Sequence, residues 1–273
     1  MQLPNALYLG LPRCASTWLW THLRDHDDVF VPAVKDIYFF DRHYDRGLRW
    51  YADLFADAGD QSVRIEFSHD YLFDPAAPRR IAADLDDPQF VIGLREPVSY
   101  LRSTMSNMER HAPTTAEVAA MTESGRLLGS ALFDQFLAPW LQVFDRSAFC
   151  VYLYEDVVAD PTAAYAHVVE RLGLAPHDPG DLELPVNRSA APRSRALASA
   201  TKRGARLARR VGAEPVLGRV KANEHLRRLL YREADESPTP WSDDAVLRQF
   251  FRPSVERLSE QLDLDLVDAW GYA

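Results

Sequence analysis

Four short apolar runs, Ala6–Leu11, Val63–Phe67, Phe90–Leu94 and Phe149–Tyr154, are separated by segments that carry the periodicity of helices. Strands joined through helices cannot close as hairpins, so the crossovers make them parallel, and a parallel sheet needs helices over both faces. The spacing predicts helices at Ser16–Arg24, Leu48–Ala56, Pro78–Asp84, Pro97–Arg110, Ala131–Phe144 and Pro161–Leu172, several of them opened by Pro or Asp. After Val186 the pattern changes to a loop-like stretch through Pro192, a basic and helical stretch to Arg232, and a last apolar-periodic helix around Asp244–Gln261. The expectation is an α/β fold, a single P-loop-like domain over residues 1–273 with a central parallel β-sheet flanked by helices in a core of about 5–186. A mostly helical C-terminal extension over about 187–273 would serve as a basic lid.

Charge is unevenly placed along the chain. The formal net charge is −9, yet Arg193 to Arg232 holds 12 Lys and Arg against only Glu214 and Glu224, which leaves the remainder at −19. Such a block points to an anion nearby: a cofactor phosphate, a charged acceptor, or a membrane surface met peripherally through Arg193–Arg232. A solvated helical face is the plainer reading, and nucleic acid is disfavoured because the rest of the surface would repel it. Cys14 and Cys150 provide neither a disulfide framework nor a zinc ligand set, so no metal is implied. No apolar stretch is long enough to span a bilayer and the N-terminus lacks a secretory pattern, which leads to the expectation of a soluble, cytoplasmic protein.

Ligands of open α/β sheets sit beyond the carboxyl ends of the strands, so the polar residues that follow each strand are the candidates. The first strand turns through Gly10-Leu11-Pro12-Arg13-Cys14-Ala15 into a helix opening with Ser16 and Thr17. A helix N-terminus offers unpaired N–H groups and partial positive charge, and Arg13 adds a fork of donors just ahead of it. Against the triphosphate pattern G-x-x-x-x-G-K-[ST], Gly10 and Thr17 fit, while Ala15 stands at the second glycine and Ser16 at the lysine. Missing that lysine, a kinase of small metabolites is the weaker reading. After the third strand, Arg95, Pro97 and Ser103 place an arginine and a serine hydroxyl where they would hold a second phosphate, unless Arg95 merely pairs with Glu96.

Pro12-Arg13-Cys14-Ala15-Ser16-Thr17-Trp18 resembles the 5′-phosphosulfate loop of sulfotransferases that use 3′-phosphoadenosine 5′-phosphosulfate (PAPS). Leu94-Arg95-Glu96-Pro97-Val98 with Ser103 resembles their 3′-phosphate motif, and Lys35-Asp36-Ile37-Tyr38-Phe39-Phe40-Asp41 the K-E-x-H-F-F-D segment of carbohydrate-type members. Tyr154-Glu155-Asp156 with Asp160-Pro161, and Asn187-Arg188-Ser189 with Arg193, extend the match in order from about Leu7 to Ser194. The chain departs from the pattern at Cys14, Ala15, Asp36 and Tyr38, where serine, glycine, glutamate and histidine are usual.

The resemblance implies PAPS as co-substrate, no metal, and in-line transfer of a sulfuryl group to a hydroxyl of a sugar, lipid or secondary metabolite. It implies cofactor contacts from Arg13, Cys14, Ala15, Ser16, Thr17, Trp18, Arg95, Ser103 and Arg193. Asp36 would be the general base with Arg13 stabilising the leaving charge, and Lys35, Tyr38 and His43 would face the acceptor. His43 and His69 are rival bases, His69 the better placed because it follows a strand. Trp18 would border the nucleotide; Trp20 and most of Tyr38, Phe39, Phe40, Tyr44, Trp50 and Tyr51 read as core. A non-catalytic anion- or membrane-binding protein remains the alternative from another class.

Overall fold

A computed structural model of the chain describes residues 1–111, 125–182, 190–192, 231–233 and 244–273. Five strands, β1 (Ala6–Gly10), β2 (Val29–Phe30), β3 (Val63–Phe67), β4 (Gln89–Leu94) and β5 (Phe149–Leu153), form one sheet in the order β2-β3-β1-β4-β5. Every pairing in it is parallel, with Leu7 opposite Glu66, Tyr8 opposite Val91 and Ile92 opposite Val151. The four predicted strands are all present. The edge strand β2 has two residues, too few to leave a period in the sequence.

Around the sheet lie α1 (Ser16–Leu23), α2 (Phe39–Arg42), α3 (Gly47–Asp53), α4 (Ala77–Asp84), α5 (Pro97–His111), α6 (Arg126–Gly129), α7 (Phe133–Leu141), α8 (Tyr154–Ala159), α9 (Pro161–Arg171), α10 (Asp244–Leu262) and α11 (Leu266–Ala269). Alternation along β1 explains the layering, because Leu7 and Leu9 point into one apolar cluster while Ala6 and Tyr8 point into the other. The first cluster holds Phe90, Phe133, Trp140 and Phe251; the second holds Leu19, Ile65, Tyr165 and Val168. Each predicted helix occurs with its ends displaced by a few residues. The start of α9 follows its sequence signal, since Asp160 accepts the Ala163 N–H at 3.0 Å and Pro161 fills the first helical position.

The last predicted helix is α10, which crosses α5 and α7. Its anchor is the buried carboxylate of Asp134 on α7, which accepts from Ser254 Oγ and from Arg257 Nε, the latter at 2.6 Å. One expectation is corrected: Tyr231–Glu233, placed in or beside a basic helical stretch, is strand β7, antiparallel to β6 (Ala190–Pro192). A pairing between segments so far apart in sequence leaves no local period to read. The rest of the basic stretch, with Asn187, Arg188, Ser189 and Arg193, lies outside the described residues. Among the described residues, no helix is long and apolar enough to cross a membrane, and no group of three or more His, Cys, Asp or Glu could hold a metal ion.

Candidate active site

Polar side chains converge beyond the carboxyl ends of β1, β3, β4 and β5. The turn after β1 is shaped from below by two buried tyrosines: Tyr8 donates its hydroxyl to the Leu11 carbonyl at 3.0 Å, and Tyr152 donates to the Cys14 carbonyl at 2.5 Å. Burial raises both phenols above their usual range, so both remain donors. With two loop carbonyls tied inward, the loop's outer side faces the mouth of α1, whose first N–H groups have no partner within the helix. Two glycines make this possible. A side chain at Gly10, where φ is +146°, would put its Cβ 2.9 Å from the His69 carbonyl oxygen, and one at Gly93 would lie 2.5 Å from the Tyr152 hydroxyl.

The two predicted anion motifs touch each other. Arg13, held at φ 68°, donates from Nε to Ser103 Oγ at 3.1 Å, while Arg95 donates from Nη1 to the Arg13 carbonyl at 3.3 Å. Arg95 is not spent on Glu96. Its Nε donates to Ser99 Oγ at 2.8 Å and its guanidinium lies 4.1 Å over the Tyr154 ring, so three contacts fix its direction. Glu96 turns instead into α5, where it accepts the N–H groups of Val98 at 3.1 Å and Ser99 at 2.7 Å, and the Tyr272 hydroxyl at 2.7 Å. Glu155 accepts the Glu96 N–H at 3.1 Å and the Trp270 indole N–H at 3.2 Å, which ties the C-terminal residues to the same corner.

Other loop residues divide by burial. Ser16 Oγ accepts from Lys35 Nζ at 3.1 Å, and Thr17 is exposed at the mouth of α1. Ala15 caps α1 at φ 59° without a side-chain bond. The Cys14 thiol is fully buried, and burial raises it well above its ordinary value, so Cys14 offers the site its backbone alone. Trp18 is corrected from a nucleotide contact to core: its ring is 4% exposed against His22 and Tyr165, and its Nε1 donates to the Leu182 carbonyl at 3.1 Å. Its place on the inner stripe of α1 decides this.

The candidate bases form a pair. Asp36 is held at φ 66° by its N–H, which donates to the Phe67 carbonyl at the end of β3 at 2.8 Å. That brings Asp36 Oδ1 to 2.8 Å from His69 Nδ1 and 3.8 Å from Lys35 Nζ, so Lys35 spans from the mouth of α1 to the carboxylate. An ionised carboxylate only accepts, so His69 Nδ1 donates in that bond, while the Tyr38 hydroxyl lies 2.9 Å from Nε2 and 3.2 Å from Nδ1. Desolvation raises the Tyr38 phenol, with Asp36 and Asp70 adding to the shift, so it stays a donor. Both nitrogens of His69 thus have a partner, one of them the Asp36 carboxylate, so the two candidate bases sit side by side. His43 stands apart from this pair, at the end of α2 with its ring 6.1 Å from that of Trp50.

Sequence reasoning missed Ser99, Tyr154 and the support beneath the Asp36 loop. Ser99 lies in the first turn of α5, four residues after Arg95, a spacing that was available to find it. The support centres on Glu66, a fully buried carboxyl whose lone acid in the apolar run Val63–Phe67 was the signal. Most of the aromatic cluster is core as expected, with Phe39, Phe40 and Tyr51 fully buried and the rings of Phe39 and Tyr51 stacked at 4.2 Å.

No family model matches the chain. It is 28% identical over 183 residues to the heparan sulfate glucosamine 3-O-sulfotransferase 3A1 of Mus musculus, covering 63% of this chain and 46% of that protein. It is 30% identical over 180 residues to the heparan sulfate glucosamine 3-O-sulfotransferase 6 of Homo sapiens, covering 63% and 52%. The chain spans about half the length of these curated relatives. In structure it superposes on the sulfotransferase from Alicyclobacillus acidocaldarius with a TM-score of 0.65 at 20% identity, over 99% of this chain and 100% of that one, and so has the same fold.

Proposed function

We propose, from the premise that this chain belongs to the sulfotransferase family, that it moves a sulfuryl group from PAPS to a hydroxyl of a glycan. The observation that carries the reading is the Asp36–His69 pair, joined by Lys35 to Ser16 at the mouth of α1, because it sets a base beside an anion cradle. In that arrangement Asp36 takes the proton of the acceptor hydroxyl as its oxygen bonds to sulfur, and the bond from sulfur to the 5′-phosphate oxygen breaks. Arg13, the first N–H groups of α1 and Lys35 stabilise the negative charge left on that oxygen, fixed in place before the reaction begins. Arg95, Ser99 and Ser103 suit a second phosphate, the 3′-phosphate that distinguishes PAPS from adenylyl sulfate. The glycan acceptor is suggested by relatives named for the glucosamine of heparan sulfate.

The test is binding and transfer together. The desulfated product, 3′-phosphoadenosine 5′-phosphate, is expected to raise the melting temperature of the full chain, and Arg95→Ala to abolish that rise while adenosine 5′-phosphate has little effect on either protein. Radiolabelled sulfate from PAPS should then appear on a panel of glycans. An equal response to the two nucleotides, or one unaltered by Arg95→Ala, overturns the reading.

A further inference from the structure

The Asp36 loop rests on a buried cluster that the proposed reaction does not use. Glu66, 0% exposed, is faced by three hydroxyls: Tyr51 donates to Oε2 at 2.5 Å, Tyr71 lies 2.9 Å from Oε2 and 3.0 Å from Oε1, and Ser68 donates to Oε1. Two of those hydroxyls also accept from the loop. Ser68 Oγ takes the Tyr38 N–H at 2.8 Å, and the Tyr71 oxygen takes the Phe40 N–H at 3.2 Å. The two bridged N–H groups lie two and four residues beyond Asp36, on either side of the turn that opens α2.

Proton counting fixes the state this cluster requires. A hydroxyl has one hydrogen, and Ser68, Tyr71 and Tyr51 all aim theirs at Glu66, which as a carboxylate accepts all three and donates none. A protonated Glu66 brings a fourth hydrogen into a cluster built to accept three. That hydrogen needs an oxygen among the three hydroxyls, and at Ser68 or Tyr71 it competes for the oxygen that holds the Tyr38 or Phe40 N–H. We infer that Glu66 is a positioning residue: as a carboxylate it orients the Ser68 and Tyr71 hydroxyls that hold the backbone of the Asp36 loop, and a proton on it releases that loop.

The proton arrives in an accessible range. Burial pushes Glu66 up to about 7, against the downward pull of Ser68, Tyr51 and Tyr71 and with a small further rise from Asp41. Those are the groups that face it: Tyr51 from α3, Tyr71 and Ser68 from the turn after β3, and Asp41 from α2, while its partner on β1 is the apolar Leu7. On the loop side the titratable and charged groups are Asp36, His69, Asp70, Lys35 and Arg42. The loop consequence follows from the cluster alone; the consequence for turnover rests on the sulfotransferase reading.

Amide exchange of Tyr38 and Phe40 in the full chain, corrected for intrinsic rates and read by NMR at pH 6 and pH 8, tests it. Both amides should be about tenfold better protected at pH 8, in the wild type and equally in His69→Gln. In Glu66→Gln the pH dependence should vanish and protection of these two amides fall about tenfold, with β1 and β4 amides unchanged. A dependence that survives Glu66→Gln, one that disappears in His69→Gln, or none in the wild type overturns the inference. If Glu66→Gln does not fold, Ser68→Ala should expose Tyr38 and Tyr71→Phe should expose Phe40, and unaltered protection in both rejects it. For turnover, Glu66→Gln should lower kcat about tenfold with KM for PAPS unchanged. A chain that transfers no sulfuryl group in any form refutes the functional reading, and the exchange data still decide the role of Glu66.

Discussion

At Asp36, one methylene fewer than the usual glutamate is matched by a histidine on the next strand end. The shorter carboxylate bonds His69 at 2.8 Å, and His69 is fixed in turn by Tyr38, itself a departure from the usual histidine. Asp36 and His69 were each legible as a candidate base; their pairing was not, because 33 residues separate them and no periodicity links a loop before α2 to the end of β3. Arg13, Arg95, Ser16 and Ser103 were legible for the opposite reason, each lying in a contiguous strand–turn–helix segment, in the turn or in the opening turns of its helix. The roles assigned to the pair predict unequal losses. Asp36→Asn should cut turnover by about 10²–10⁴-fold, the range of a lost general base, with binding of 3′-phosphoadenosine 5′-phosphate retained. His69→Gln should cost only about tenfold, since the base remains and loses its orientation. Single-turnover transfer rates together with thermal shifts measure both, and a larger loss for His69→Gln would make the imidazole the base.

Elements carry the site by their ends, and those ends were the readable part of the fold. Period-two and period-3.6 patterns located four of the five strands of the sheet and the longer helices, since each buries a continuous apolar face, but not the four short helices α2, α6, α8 and α11. What failed to register was short or paired at long range: β2 with two residues, the β6–β7 ribbon, and the inward turn of Trp18 on a helix with too little polar contrast to orient it. The contact between β4, β5 and the first loop gives a prediction at this scale. Gly93→Ala sets a methyl group 2.5 Å from the Tyr152 hydroxyl and 2.9 Å from the Cys14 carbonyl, so it should cost about 1–3 kcal/mol of stability and weaken nucleotide binding. Tyr152→Phe removes that hydroxyl but leaves the ring carbon 2.6 Å from the added methyl and the Cys14 carbonyl at 2.9 Å, so it relieves only part of the clash. Denaturant melts of both single variants and the double variant should therefore show losses somewhat short of additive. Full additivity would mean that Gly93 is needed for some other reason.

Over the whole molecule, the loop and the fold respond to pH in opposite directions. Glu66 has a folded pKa raised to about 7, so the native chain binds its proton more tightly than the unfolded chain does. Its contribution to stability is complete below the ordinary carboxylate range and is lost as pH rises through about 7. Between pH 5 and pH 8 the wild type should lose about 2–3 kcal/mol relative to Glu66→Gln in denaturant unfolding, while the Asp36 loop becomes better ordered over the same interval. No difference between the two proteins in that slope would show that Glu66 is not buried with a raised pKa. The same division runs through the architecture. The anion grip hangs from β1 and β4, the base and its support hang from β3, and the two press together where the backbone of Gly10 meets the His69 carbonyl. Gly10 is therefore a seam as well as a turn. One side of it holds the anion cradle and the other the Asp36–His69 pair, with Lys35 reaching across, so a shift of the Gly10 backbone would move both halves of the site at once.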